Sequence, residues 1–343
     1  MRDVADRAGV SVATASRALR GDQPIAPATR DRVLEAVAVL DYRLLRSRRA
    51  TEHAPNQIVV LTPSLRHLAV AEILVGVETA SADSGHACPF MVTDSDPDRE
   101  LRALERVATG RDVKAVIVVG GTHQTPAWRE SLPGAVATLA DLGVRVVFCG
   151  RALVDMDLPE VAVVDYENRA GAEAAVSVLL GKGHRRIGLL RGPDGFTTSE
   201  ERAAGYVEAL RAFGVRFDPD LVVSGPRSGP AGMARATDLI TRRPDVTAIF
   251  ADSDAQALGA MRAAHLRGLT VPGRLSVIGF DDEQMSSILT PALTTVHTPF
   301  IELGRRAAQA ALGTDPELEP GRSLTLASHI VMRDSVGAST GQA

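Results

Sequence analysis

The sequence predicts an α/β chain: a small three-helix head, a short linker, and a body of two doubly wound parallel-sheet subdomains. Three observations carry that expectation. Near the N-terminus, two short helical stretches flank a glycine turn. From residue 57 onward, apolar runs alternate with amphipathic helical stretches. The runs are also too many for one comfortable sheet.

In the head, Asp3 to Ala8 reads as a first helix closed by Gly9, because glycine tolerates a left-handed turn. Ser11 supplies an N-cap hydroxyl to a second helix, VATASRALR, which Gly21 ends. Pro27 suits the first position of a third helix that runs through TRDRVLEAVAVLDY. Its Val33, Ala36, Val37 and Leu40 recur at three- and four-residue spacing, which makes one buried stripe. Helix, tight turn, helix is the helix-turn-helix arrangement. Residues 43–56 are Arg-rich, then polar with Pro55, and read as a linker. The head is therefore 1–42, the body 57–337 and the tail 338–343.

In the body, strands are expected at IVVLT (58–62), CPFMVT (88–93), AVIVVG (115–120), RVVFCG (145–150) and VAVV (161–164). RIGLLRG (186–192), TAIFAD (247–252) and LSVIGFD (275–281) follow. Between them lie helical stretches such as EILVGVETASADSG, ELRALERVATG, GAEAAVSVLLGKG, ERAAGYVEALRAFG and SDAQALGAMRAAHLRG. Continuous apolar strands between helices mean parallel sheets covered on both faces, with a ligand cleft between the two subdomains. No fixed-period repeat is present, so a solenoid is not implied.

Composition and missing motifs narrow the function. The chain has 343 residues, 45% of them hydrophobic and 23% charged, which is the profile of an ordinary globular protein. No apolar run reaches the roughly 18–20 residues of a membrane span. MRDVADRAGVS lacks the apolar centre of a secretory signal, so a cytoplasmic protein is expected. Cys88 and Cys149 sit in apolar surroundings without a CxxC and read as buried thiols. There is no GxxxxGK[ST], HExxH, GxSxG or GxGxxG, and the eight His are scattered. No catalytic residue, cofactor or metal site is expected, and no membrane partner. His184 reads as a feature of a helix-to-strand loop. Carboxylates do cluster in FADSD and GFDDE just after strands, where doubly wound sheets bind ligands. A metal or phosphotransfer role for them has no phosphate loop to support it.

The net charge of −4 divides unevenly. Residues 1–52 hold ten Arg against seven carboxylates, leaving +3 on the head and −7 on the remainder. A small basic head on an acidic body points to a polyanion as its partner, or to a solvated helix end.

Several strings together resemble the lactose-repressor (LacI/GalR) family of bacterial transcription regulators. DVADRAGVSVATASRALRG is similar to that family's DNA-binding signature. IVVLTP, VDYENRAG, GHRRIGLL, ERAAGYVEAL, GFDD and LTPALTTVHTPFIELGRRA match its body in the family's order, from Met1 to about Val336. The resemblance implies a body like periplasmic sugar-binding proteins. Its N-subdomain would be about 57–164 and 298–324, and its C-subdomain about 165–297 and 325–337, joined by crossover strands.

For the head, the resemblance places the second helix in the DNA major groove. Val12, Ala13 and Arg17 then occupy base-reading positions. Arg17 can donate two bonds to a guanine edge, while Val12 and Ala13 offer apolar contact to thymine methyls. Val12 could alternatively pack in the head's core. Ser11, Thr14 and Ser16 are short hydroxyl donors suited to phosphates, as are Arg48 and Arg49 to phosphates or a narrow minor groove. The linker departs from the family's pattern. Tyr42 is present, but Leu44 and Leu45 replace Pro-Asn, and Thr51 stands where a wedging Leu belongs.

For the body, the resemblance implies effector contacts from Ser64, Leu68, Ala69, Asp165, Arg202, Arg227, Ser253 and Asp281. An Arg and an Asp facing each other across a cleft suit a polyhydroxylated ligand. Arg202 could instead cap a helix or pair with Glu200 or Glu201, and Asp281 could only cap the following helix. The family's stacking aromatics are expected to be missing: Ala69, Val70 and Arg227 stand in their places. Arg227 suits an anionic sugar derivative, or is a solvated loop residue.

The implied function is a transcriptional repressor that binds double-stranded DNA as a homodimer at a roughly palindromic operator. A small effector, a sugar or sugar derivative, would control it from the cleft. A co-repressor-dependent regulator or an activator of the same architecture is the alternative. A solute-binding protein would need export, and a sugar-acting enzyme would need a catalytic pair that no residues supply. The tail RDSVGASTGQA carries no leucine heptad, which predicts a dimer rather than a tetramer.

Overall fold

The computed structural model describes residues 2–12, 14, 15, 18, 25–39, 56–110, 112–153 and 155–339. The chain divides into two compact units, Met1–His53 and Ala54–Ala343.

In the first unit, α1 (Arg2–Ala8) ends at Gly9, whose φ of 62° takes the left-handed conformation expected of it. Val10 N–H then bonds Ala5 O at 3.0 Å. The Ser11 hydroxyl accepts the Thr14 N–H at 3.1 Å, the N-cap of the second helical stretch, in which Val12, Thr14, Ala15 and Ala18 are helical. Pro27 opens α2 (Pro27–Val39). Val4, Ala5, Ala8, Ala15, Ala18, Val33 and Ala36 are buried together, with Val10, Ile25 and Val37 packed on them. Leu40 of the expected stripe lies outside the described residues.

In the second unit, β1 (Gln57–Thr62), β2 (Phe90–Val92), β3 (Val113–Val119), β4 (Arg145–Cys149), β5 (Val161–Tyr166) and a late strand, β11 (Ser323–Leu326), form one parallel sheet. Its order is β11-β5-β4-β3-β1-β2. Helices α3 (Leu68–Asp83) and α11 (Phe300–Leu312) cover one face, and α4 (Pro97–Ala108) and α5 (Pro126–Asp141) the other. Pro133 is tolerated inside α5 among its buried Trp128, Leu132 and Val136.

A second parallel sheet contains β6 (Ile187–Arg191), β7 (Val222–Ser224), β8 (Ala248–Ala251) and β9 (Ser276–Ile278), in the order β7-β6-β8-β9. It lies between α6 (Asn168–Gly181) with α7 (Thr197–Ala212) and α8 (Gly229–Arg242) with α9 (Asp254–Leu266). A short helix, α10 (Met285–Ile288), precedes β10 (Thr295–His297), which pairs antiparallel with β12 (His329–Val331). The chain passes to the second sheet after β5, returns after β10 and crosses again after β11. Strands β7, β10, β11 and β12 are additions to the expected set: each is short and half-exposed or carries polar residues, so none reads as an apolar run. Cys149 is buried and Cys88 half-buried; both are free. Among the described residues, no helix is long and apolar enough to cross a membrane.

Helices α3 and α11 approach closely enough that two positions admit only glycine. A Cβ at Gly76 would collide with the Ile301 carbonyl, and one at Gly304 with the Ile73 carbonyl. Because the obstacle is backbone, no rotamer change relieves it. Gly76→Val should therefore separate the helices and cost about 1–3 kcal/mol or more. Urea unfolding of the full chain, monitored at Trp128 on the opposite face of the same sheet, checks this; an unchanged midpoint would show that the pair can slide apart freely.

Candidate functional site

A cavity of about 400 Å³ opens where the two sheets meet. Its walls come from the carboxyl ends of strands. Pro63 follows β1, Gly120 and Gly121 follow β3, and Gly150 follows β4. Tyr166 ends β5, Phe196 lies beyond β6, Arg227 beyond β7, Ser253 beyond β8 and Asp281 beyond β9. In doubly wound sheets this is where helix N-termini and loops converge, so the topology itself makes the site.

Arg202 is its best-connected residue. Although it sits on α7, it is almost fully buried, with 2% of its surface exposed. Its Nη2 donates to Asp281 Oδ1 at 3.1 Å and to the Tyr166 hydroxyl at 2.9 Å. Nε donates to Asn168 Oδ1 at 2.9 Å, and Nη1 donates to the Asp252 carbonyl. The guanidinium also lies 3.7 Å from the centre of the Phe280 ring, a cation–π contact. Burial works against its charge, but Tyr166, Asp281 and Asp252 more than offset this and raise its pKa. Arg202 therefore neither caps a helix nor pairs with Glu200 or Glu201. It and Asp281 form one ion pair on the same wall, instead of facing each other across the cleft.

Asp281 sits at φ 113°, a conformation that residues with a side chain rarely adopt. Its N–H bonds Val296 O at 2.9 Å, which holds the strained backbone in place. Burial raises the Asp281 pKa, opposed by Arg202. Arg227 is also committed. Its Nε lies 3.3 Å from Asp252 Oδ1, and its Nη2 3.1 Å from Oδ2 and 2.9 Å from the Ser199 hydroxyl. It is neither a solvated loop residue nor an unpaired cation waiting for an anion. Ser253 uses its hydroxyl to cap α9 through Gln256 N–H at 3.4 Å.

Five of the eight expected contacts thus line the cavity: Ala69, Arg202, Arg227, Ser253 and Asp281. Ser64, Leu68 and Asp165 do not. The Ser64 hydroxyl accepts Arg66 N–H at 3.0 Å within its own turn, and Leu68 opens α3 on its exposed side. Asp165 precedes Tyr166 on β5, and consecutive strand residues point to opposite faces. With Tyr166 in the cavity wall, Asp165 is turned away and, among the described residues, accepts only the Tyr166 N–H, at 2.9 Å. Burial pushes its pKa up to about 7.

The expectation of a cavity without aromatics is overturned. Tyr166, Phe196 and Phe300 all line it, with Tyr166 and Phe300 edge-to-face at 5.5 Å. Phe196 packs edge-on against His123 at 4.7 Å, beside Gly121. His67 also lines the cavity; burial, then Arg227, lowers its pKa and keeps it uncharged. Among the described residues, no cluster of His, Cys, Asp and Glu can hold a metal ion. Asp254 is instead taken up by Glu283 N–H and by the Ser286 and Thr295 hydroxyls.

In the head, Val12 is 44% exposed, which removes the alternative that it packs in the core. Ser11 and Thr14 share a hydroxyl hydrogen bond of 2.8 Å. Ala13, Ser16, Arg17, Arg48 and Arg49 lie outside the described residues.

Comparison with known proteins places this geometry. The N-terminus matches the family model described as bacterial regulatory proteins, lacI family, over residues 1–43, and residues 176–336 match a periplasmic binding protein-like domain. The HTH-type transcriptional regulator CelR of Thermobifida fusca is 32% identical, covering 97% of this chain and 96% of CelR. The chain belongs to the LacI family of bacterial transcriptional regulators. The HTH-type transcriptional repressor CytR of Escherichia coli (strain K12) is 30% identical over 90% of this chain and 87% of its own. Among solved structures, a CelR–cellobiose complex matches with a TM-score of 0.71 at 29% identity, covering 97% and 98% of the two chains. A Lac repressor dimer bound to operator and the anti-inducer ONPF matches with 0.74 at 25%, covering 98% of each. This LacI-family member is thus a helix-turn-helix transcriptional regulator, not an enzyme.

Two outcomes are expected in this regulator. Arg202→Ala should destabilise the body by roughly 3–5 kcal/mol, because it strands a buried carboxylate and a buried phenol. Denaturant unfolding of the variant checks this, and a loss below about 1 kcal/mol would refute it. Asp165 has a raised pKa in the folded state, so the folded chain binds its proton more tightly than the unfolded one. Its contribution is most favourable below the ordinary carboxylate range and is lost as pH rises toward about 7. Asp165→Asn should flatten that decline in melting temperature between pH 4 and 8; a parallel decline in both proteins would exclude it.

Proposed function

We propose that this regulator is a cytoplasmic repressor that binds a roughly palindromic operator as a homodimer, and that a sugar or sugar derivative in the cavity sets its operator affinity. One observation carries the effector half of this reading. The cavity pairs a fixed Arg202–Asp281 ion pair with the apolar rings of Tyr166, Phe196 and Phe300. Such a surface suits a ligand with hydroxyls along its edge and C–H groups on its faces, because hydroxyls satisfy the polar pair while rings cover the faces. The cellobiose bound by the CelR structure and the operator bound by the Lac repressor dimer support the same assignment. The commitment of Arg227 to Asp252 argues against an anionic sugar.

Val12, Ala13 and Arg17 would read base edges, with Ser11, Thr14, Ser16, Arg48 and Arg49 on phosphates or the minor groove. Ser64, Leu68 and Asp165 are not carried forward as effector contacts. The reading is tested by gel shift on DNA from the neighbouring promoter, with and without a panel of sugars. A specific shift that one sugar alters supports it; a shift that no sugar alters would remove the effector role. Arg17→Ala should cost about 1–3 kcal/mol at the operator while leaving random DNA unaffected. Equal losses on both DNAs would make Arg17 a phosphate contact.

A further inference from the structure

Most charged groups at the cavity wall are neutralised within the protein. Arg202 pairs with Asp281, Arg227 with Asp252, and His67 is held uncharged by burial and by Arg227. Glu283 is different. It lines the cavity and is half-buried, yet no hydrogen bond or ion pair of its side chain occurs among the described residues. Its electrostatic neighbours are other carboxylates: Asp281 in its own loop, and Glu72 on α3. The remaining acids nearby are spoken for. Asp254 accepts three bonds, and Asp282 is held by Arg333 at 2.6 Å and by His297 at 3.0 Å. His297 offsets Glu72 only in part, since burial still raises the Glu72 pKa.

A half-buried carboxylate without a donor, beside two more acids, is costly unless something cationic completes it. A hydroxyl could bond it but would leave the repulsion among Glu283, Glu72 and Asp281 untouched. An ammonium group would satisfy both requirements, and the aromatic walls would favour it further. Among the described residues, the carboxylates do not converge into a cluster able to hold a metal ion, which leaves an organic cation.

We infer that Glu283 is the receptor for a protonated amine, and that the effector belongs to the class of amino sugars or other amine-bearing polyols. The inference rests on the cavity being the effector site proposed above. It also accounts for a residue that the Arg202–Asp281 pair leaves unexplained.

The test uses matched sets of probes: glucose, glucosamine and N-acetylglucosamine, and galactose with its two counterparts. Each is titrated calorimetrically into the full chain at neutral pH. The amine member should bind about tenfold or more tighter than its neutral parent, and that ratio should collapse toward one in Glu283→Gln. Glu72→Gln, which thins the same negative field, should lower the ratio in the same direction and stands in if the first variant fails to fold. A neutral parent or N-acetyl form that binds as tightly as the amine would overturn the inference while leaving a sugar effector in place. So would an amine preference that survives both substitutions. If no probe in either set binds, the amine assignment falls.

Discussion

A guanidinium that cannot lose its proton has been taken out of water at Arg202, and much of the cavity is arranged around that fact. An isolated buried charge costs several kcal/mol, and the penalty falls only as donors find acceptors. Arg202 meets it with acceptors from separate parts of the chain: Tyr166 at the end of β5, Asn168 at the start of α6, the Asp252 carbonyl after β8 and Asp281 after β9. The residue therefore ties the first sheet's last central strand to two strand ends of the second sheet. Its demand for partners also explains why Asp281 tolerates a positive φ: the strain, of order 1–3 kcal/mol, is smaller than the cost of leaving the cation unpaired. The same fixed pair offers a ligand a rigid polar edge that need not be reorganised on binding.

The charge pattern of the cavity follows from whether each group has a partner. Counting arginines alone would make the site electropositive. Counting pairs reverses the sign, because Asp252 and Asp281 cancel the two arginines and Glu283 remains. Burial and the neighbouring Asp281 and Glu72 push Glu283 up to about 7, so near neutrality its ionisation is finely balanced. A cationic ligand would tip that balance toward the carboxylate and release a proton; a neutral one would not. Ligand charge and cavity protonation are thus linked, and the linkage is a physical consequence of leaving an unpaired carboxylate in the cavity wall with other acids near it.

The sequence made the architecture legible because its signals are local and redundant. Continuous apolar runs such as AVIVV at β3 and RVVFC at β4 leave few alternatives to buried parallel strands, and Gly9 and Ser11 mark the head's turn by chemistry that few residues share. The strands it did not mark, β7 and β10–β12, are three or four residues long, and their pairing comes from the tertiary frame rather than from their own pattern. The site was legible where a residue ends an apolar strand, as Asp281 does. It was misread where orientation mattered. Asp165 and Tyr166 are adjacent letters, but strand alternation sends one away from the cavity and the other into it. Tyr166 at the end of β5, Phe196 beyond β6 and Phe300 opening α11 each occupy a strand-end position that could have announced an aromatic wall. Searching only the loops where relatives carry aromatics hid them. Arg227 shows the reverse error. Its charge is visible in the sequence, but the Asp252 that cancels it is 25 residues away, and only the fold brings the two within 3.1 Å. What a linear reading lacks is not the inventory of charges but their pairing, and pairing is what decides which charge, here Glu283, is left to meet a ligand.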